Sequence, residues 1–90
     1  MYKVVFSKNA LKQLQKLDKA TAALIVGWIK KNLDSCDNPR ITGKALSANL
    51  SGLWRYRVGD YRIIAQIIDA EIVIFVVNIG HRRDIYEAFK

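Results

Sequence analysis

Five of the six arginines, Arg55, Arg57, Arg62, Arg82 and Arg83, fall between Leu53 and Tyr86. A guanidinium is always charged and presents its donors as a planar fork that matches phosphate oxygens in pairs, so clustered arginines point to a phosphate-bearing ligand. Their spacing sharpens this. Trp54-Arg55-Tyr56-Arg57-Val58 alternates apolar and basic residues, the pattern of a half-buried strand. Gly59-Asp60 supplies a two-residue turn with glycine first, as a type II′ hairpin requires. Val58 then faces Tyr61, and Arg57 faces Arg62. Trp54, Tyr56, Val58, Tyr61, Ile63 and Ala65 share one face; Arg55, Arg57 and Arg62 share the other. Two arginines directly opposite one another repel unless an anion lies between them. A phosphate fits that position better than a carboxylate. An ordinary solvated basic strand is the plain alternative.

A second basic group, Gly80-His81-Arg82-Arg83-Asp84, follows an apolar run and precedes Tyr86. The run Ile72 to Ile79 predicts a strand covered on both faces, at the centre of a sheet. The basic loop therefore emerges at one end of that sheet, near Arg62 if the intervening turn lies around Asp69 to Glu71. Tyr86 is close enough in sequence to face the same pocket. Imidazole is the side chain whose ordinary pKa lies nearest neutrality, which makes His81 a candidate acid or base; an exposed loop histidine is the simpler reading. Arg40 and Lys44 lie in a long aperiodic stretch, Asp34 to Gly52, and could extend the basic surface. One cysteine, Cys36, and one histidine provide no metal-ligand constellation and no intrachain disulfide.

The first half of the chain must support these residues. Tyr2 to Phe6 reads as a short strand. Ser7 is an N-cap for a helix from Lys8 to about Leu17, with Leu11, Leu14 and Leu17 on one stripe and Lys8, Lys12 and Lys16 on a solvated one. Asp18 caps a second helix to about Leu33, whose Ala22, Ile25, Trp28, Ile29 and Leu33 form a broad apolar side. The expected fold is α+β: a small single domain over residues 1–90, with an antiparallel-rich twisted sheet of about four strands. Two N-terminal helices pack on one face, and a short helix ends the chain.

Composition narrows the partners. The 90-residue chain is 51% hydrophobic, enough for one modest core, and carries a net charge of +7. A polyanion or an acidic protein is the expected ligand. No apolar run is long enough to span a bilayer. The opening MYKVVFSK reads as a strand and a helix cap rather than a signal peptide, and with the lone cysteine it suits a cytoplasmic protein. Seven of nine lysines lie between Lys3 and Lys31, whereas every arginine lies between Arg40 and Arg83. The asymmetry directs the search for a site to the second half.

A lysine-bearing loop, then LWRYRVGDYRII, then an apolar strand ending in GHRRDIY, resembles the RelE branch of the RelE/ParE toxins of bacterial type II toxin–antitoxin systems. The resemblance spans nearly the whole chain. It implies a metal-independent endoribonuclease without cofactors, which cleaves mRNA in the ribosomal A site to inhibit translation and is blocked by a cognate antitoxin. ParE-type relatives share the fold and act on DNA gyrase; a basic module that only binds RNA or protein is the third possibility. Carried over by position, the resemblance puts catalytic roles at Arg55, Arg57, Arg62, Arg82 and Tyr86. On an RNA substrate, the remaining cations of the second half, Arg40, Lys44 and Arg83, are expected to contact the backbone. The chain differs from RelE in having arginine at Arg55 and Arg57, where that protein has lysines. Arginine cannot exchange a proton, so the resemblance brings charge stabilisation to these positions and not a general base.

Overall fold

The computed structural model describes residues 1–89. Strand β1 (Lys3–Phe6) leads into helices α1 (Lys8–Lys16) and α2 (Lys19–Asn32). Four strands follow: β2 (Lys44–Ala45), β3 (Leu53–Val58), β4 (Tyr61–Ile68) and β5 (Val73–His81). A 3-10 turn over Ile85–Phe89 closes the described chain.

The five strands form one sheet in the order β1-β5-β4-β3-β2, with β1 parallel to β5 and every other pair antiparallel. The sheet thus has five strands rather than about four. The extra one is the two-residue β2, too short to leave a periodic signature. The middle strand is β4, not the apolar β5; β5 is nonetheless interior, held between β1 and β4. The C-terminal segment forms a 3-10 turn in place of a short α-helix, as its length favours.

Both helices begin where their caps predict. The Ser7 hydroxyl accepts from the Ala10 N–H at 3.0 Å, and the Asp18 carboxylate from the Thr21 N–H at 3.1 Å. A hydrogen bond from the Thr21 hydroxyl, with that from its N–H, holds the Asp18 carboxyl below the usual carboxylate range. Lys8, Lys12 and Lys16 are exposed, as a solvated stripe should be. On the helix side of the sheet, Ala10, Ile25, Ile29 and Leu33 meet Tyr56, Val58, Ile63, Ala65, Ile74, Val76 and Ile79 in a single buried core. Trp28 and Trp54 flank it as partly buried residues, and the Trp28 ring lies 5.9 Å from that of Tyr56.

One irregularity decides which side chains reach which face. Ala65 pairs with Val76, but Ile64 pairs with Asn78, so Val77 is an extra residue in β5. Strict alternation from Ile74 and Val76 would send Asn78 into the core. The bulge re-phases the strand, so that Ile79 joins the core while Asn78 and Gly80 turn to the opposite face. Ser7 secures the bulge: its hydroxyl donates to the Val77 carbonyl at 3.0 Å and its N–H to that of Val76 at 2.8 Å. Above Phe6, α1 takes over as the neighbour of β5. Gln13 Oε1 accepts from the Ile79 N–H at 2.6 Å, and Asn78 Oδ1 accepts from Asn9 and Gln13 at 2.7 and 2.8 Å.

Candidate polyanion-binding site

The face opposite the helices carries the basic residues, and strand register places them. In the hairpin, Val58 pairs with Tyr61 and Arg57 with Arg62, as the turn chemistry predicts. Gly59 adopts φ +59°, which a residue with a Cβ would resist. On β2, Lys44 pairs with Arg55. Paired residues in antiparallel strands point to the same face. Two successive rungs therefore set cation against cation: Lys44 beside Arg55, and Arg57 beside Arg62. The Arg57–Arg62 rung continues to Gly80, which pairs with Arg62 across β4 and β5.

The loop after β5 adds to this group. Its Arg82 N–H donates to the Asp60 carbonyl at 2.8 Å, which ties the loop to the β3–β4 turn beside Arg62. Ile85 then seats over Gly80, where a Cβ would come within 3.3 Å of Ile85 Cδ1. That seat brings the half-buried Tyr86 to the arginine face. Arg62 feels all of these neighbours. Burial holds its guanidinium below the ordinary arginine range; Arg57, Arg55 and Arg82 push the same way, and Tyr86 opposes them.

What the arginines lack is as telling as where they lie. Among the described residues, no carboxylate approaches Arg55, Arg57, Arg62 or Arg83 within ion-pair distance. Arg82 meets Asp60 only at 3.7 Å, with both side chains more than half exposed, a contact of little energetic weight. Arg62 Nη1 donates to the Gly59 and Tyr61 carbonyls at 3.0 and 2.9 Å, which fixes the guanidinium over the hairpin turn. Arg55 Nε is buried and has no hydrogen-bond acceptor among the described residues. An unpartnered buried donor on a cation is costly. An anion at this face would relieve both repulsive rungs together.

Not every candidate joins this group. Arg40 binds Asp69 through two hydrogen bonds of 3.1 and 2.8 Å, and its guanidinium stacks 5.6 Å from the centre of the Trp54 ring. Trp54 belongs to the helix-side face, so Arg40 is held away from the arginine face. The Tyr2 hydroxyl also donates to Asp69, at 2.6 Å. The Arg40 and Tyr2 hydrogen bonds hold the Asp69 carboxyl below its usual range, and the bond to Asp69 pushes the Tyr2 phenol up. His81 pairs with Tyr61, edge-on at 5.5 Å between ring centres, which puts it on the helix-side face at the same end of the sheet. Its Nδ1 accepts from the Arg83 N–H at 3.2 Å, leaving Arg83 exposed beside Arg82. Lys44 does join, through its pairing with Arg55.

Two contributors to the site escaped the sequence reading. Ile64 is fully buried on the arginine face, one rung from Gly80. The consecutive isoleucines Ile63-Ile64 were the available signal, since both faces of that strand must be covered. Gly43 was the other: its backbone, next to Lys44, lies so close to the Tyr56 ring that a Cβ would fall 2.7 Å from Tyr56 Cε1, and nothing local in the sequence marks it.

The family model described as the ParE toxin of type II toxin–antitoxin system, parDE, matches residues 4–86. A RelE-like toxin protein of Escherichia coli is 38% identical, covering 94% of this chain and 90% of its own length. The mRNA interferase toxin RelE of E. coli K12 is 28% identical, over 90% of this chain and 83% of its own. Among solved structures, the RelBE2 toxin–antitoxin complex of Mycobacterium tuberculosis contains a chain that superposes with a TM-score of 0.82 at 30% identity, covering 90% of this chain and 98% of that one.

Proposed function

This chain belongs to the RelE/ParE family of type II toxin–antitoxin toxins, on its RelE side, and from that premise we propose that it is an mRNA endoribonuclease that cuts on translating ribosomes without a metal and is silenced by a cognate antitoxin. The observation that carries this reading is the Arg57–Arg62 rung, a cross-strand pair of like charges left without a carboxylate and flanked by Arg55 and Arg82. A partner of opposite charge belongs there, and the backbone phosphate of RNA is the one that guanidinium forks fit best.

In this reading the RNA 2′-oxygen attacks the adjacent phosphorus as the bond to the 5′-oxygen breaks. The products are a 2′,3′-cyclic phosphate and a 5′-hydroxyl. The 2′-hydroxyl gives up its proton and the departing 5′-oxygen gains one. Arg62 and Arg82 stabilise the charge growing on the phosphate oxygens, and Arg55 and Arg57 hold the backbone in line. Arg83 contacts a neighbouring phosphate. Tyr86 stacks on a base or passes a proton. Because arginine cannot accept a proton, alignment of the 2′-oxygen carries much of the acceleration, and the ribosome supplies that alignment. The antitoxin partner is inferred from relatives solved as toxin–antitoxin complexes.

The match to the ParE model favours a second reading, action on DNA gyrase, in which the arginines serve partner binding. One experiment separates the two. A defined mRNA is translated in a cell-free system with the protein or its Arg62→Ala variant, and new 5′ ends are mapped with and without ribosomes. Cuts at A-site codons that require ribosomes and vanish in Arg62→Ala support the nuclease. Cuts on naked RNA remove the ribosome from the mechanism. No cuts from folded protein transfer the assignment to gyrase, where DNA breaks become the readout.

A further inference from the structure

We infer that Lys44 is a further cation of the phosphate site, contacting the RNA backbone beside Arg55, and that Gly43, through its close approach to Tyr56, is the residue that positions it. The inference rests on the nuclease reading above and adds one binding residue and one positioning residue to it.

Lys44 lies on a strand that should not hold by itself. β2 is two residues long, an edge strand, and its one charged side chain, exposed on the arginine face, sits opposite Arg55. Like charges directly opposite each other destabilise a pair of strands. Isolated, this rung would open and Lys44 would swing away from Arg55. The opposing force comes from the other face of β3. Tyr56 is fully buried there, and its hydroxyl donates to the Pro39 carbonyl at 2.6 Å. The same ring lies against the Gly43 backbone so closely that a Cβ at Gly43 would fall 2.7 Å from Tyr56 Cε1. A buried ring fixed at its hydroxyl has nowhere to retreat, so only glycine permits this approach. Past β2, the Leu46 N–H donates to the Leu53 carbonyl at 3.0 Å and closes the strand from the other side. The chain is thus clasped on both sides of Lys44, by contacts that themselves carry no charge, and the lysine is held in a place its own electrostatics oppose.

The ligand class follows from the surroundings. Lys44 has no carboxylate within ion-pair distance among the described residues, and its cross-strand neighbour Arg55 has a buried Nε with no acceptor. An anion that bridged the lysine and the Arg55 guanidinium would offset the repulsion between them. A phosphate one step along the strand from that held by Arg57 and Arg62 is the anion a single-stranded RNA supplies.

The test is single-turnover cleavage on ribosomes programmed with a defined mRNA, with half-saturating concentration and maximal rate measured separately. Lys44→Ala should raise the half-saturating concentration about 10-fold with a much smaller effect on maximal rate. It should also flatten the dependence of affinity on log salt by about 0.7, the share of one phosphate on a single strand. Lys44→Arg should recover most of the affinity. Gly43→Ala should reproduce the loss, and in the Lys44→Ala background it should cost nothing more, because its effect is exerted through that lysine. Tyr56→Phe, which keeps the ring but frees the Pro39 carbonyl, tests the same coupling should Gly43→Ala unfold the chain. Parental affinity and salt slope in Lys44→Ala would overturn the binding role. An additive loss in the Gly43→Ala/Lys44→Ala double variant, or in Tyr56→Phe/Lys44→Ala where Gly43→Ala does not fold, would overturn the positioning role. Each of those outcomes, in a protein that cuts, leaves the nuclease reading standing; a parent chain that does not cut removes both.

Discussion

Arg40 and Arg62 are the same residue in opposite circumstances. Arg40 has a bidentate carboxylate in Asp69 and an aromatic face in Trp54. Arg62 has two backbone carbonyls from its own hairpin and is otherwise surrounded by Arg55, Arg57 and Arg82. The first is a complete structural unit, joining Tyr2, the 34–43 segment, Trp54 of β3 and the β4–β5 turn. The second is incomplete until something anionic arrives. Both are arginines in a basic protein, so composition cannot tell them apart; partner chemistry can. An arginine with its charge answered by the fold holds the fold together, and one with its charge left open is available for a ligand.

The largest effect should come from the open group. Arg62→Ala should lower the cleavage rate by about 10²–10³-fold, the usual cost of removing one donor that faces developing charge, while the melting temperature stays near that of the parent. A loss of stability instead would erase the contrast with Arg40. Next comes the core that supports both. Tyr56→Phe removes a buried hydrogen bond and leaves the Pro39 carbonyl unanswered, so chemical denaturation should report a loss of about 1–2 kcal/mol. Burial pushes the Tyr56 phenol up to about 12, so its contribution is complete below the unfolded value near 10 and fades between there and about 12; the phenylalanine variant should lack that alkaline loss.

A smaller and opposite effect is expected at Arg57. Arg57→Gln relieves its repulsion with Arg62, so the melting temperature should rise slightly while cleavage falls about 10-fold. Falling stability would show that the rung is not repulsive in the free protein. The smallest change belongs to the Arg40 group. The folded Asp69 carboxyl titrates below its unfolded value, so its stabilising effect is present above about pH 4 and is lost as pH falls through the folded value. Thermal melts of Asp69→Asn should converge with those of the parent in acid and lie below them at neutral pH, with cleavage unchanged.

The arginine face was legible because a period-two pattern and a glycine-first turn fix hairpin register with no help from the rest of the molecule. Arg57 opposite Arg62 is a local fact. The role of Arg40 was not, because Asp69 lies 29 residues away and only the folded sheet brings them together. β2 escaped for a related reason: two residues have no period, and their place is set by Gly43 against Tyr56. His81 differs again. Its neighbours read as a loop, but β5 extends through it, and pairing with Tyr61 sets the half-buried ring on the side opposite the arginines. The α1–β5 amide network was illegible too, since Asn78 reaches Asn9 and Gln13 only because Val77 shifts the phase of the strand.

That extra residue also bears on how such a chain can change length over evolutionary time. Losing one residue within a regular strand inverts every side chain beyond it, and for that reason deletions are confined to loops. Val77 is an exception inside β5. Its removal would restore an ordinary ladder with Ile79 still inward and Asn78 and Gly80 still outward. The loss would fall on the carbonyl that Ser7 holds at the start of α1. A sheet interior can thus lengthen or shorten by one at this point, with the arginine face left in frame and the junction between β1 and α1 left to adjust.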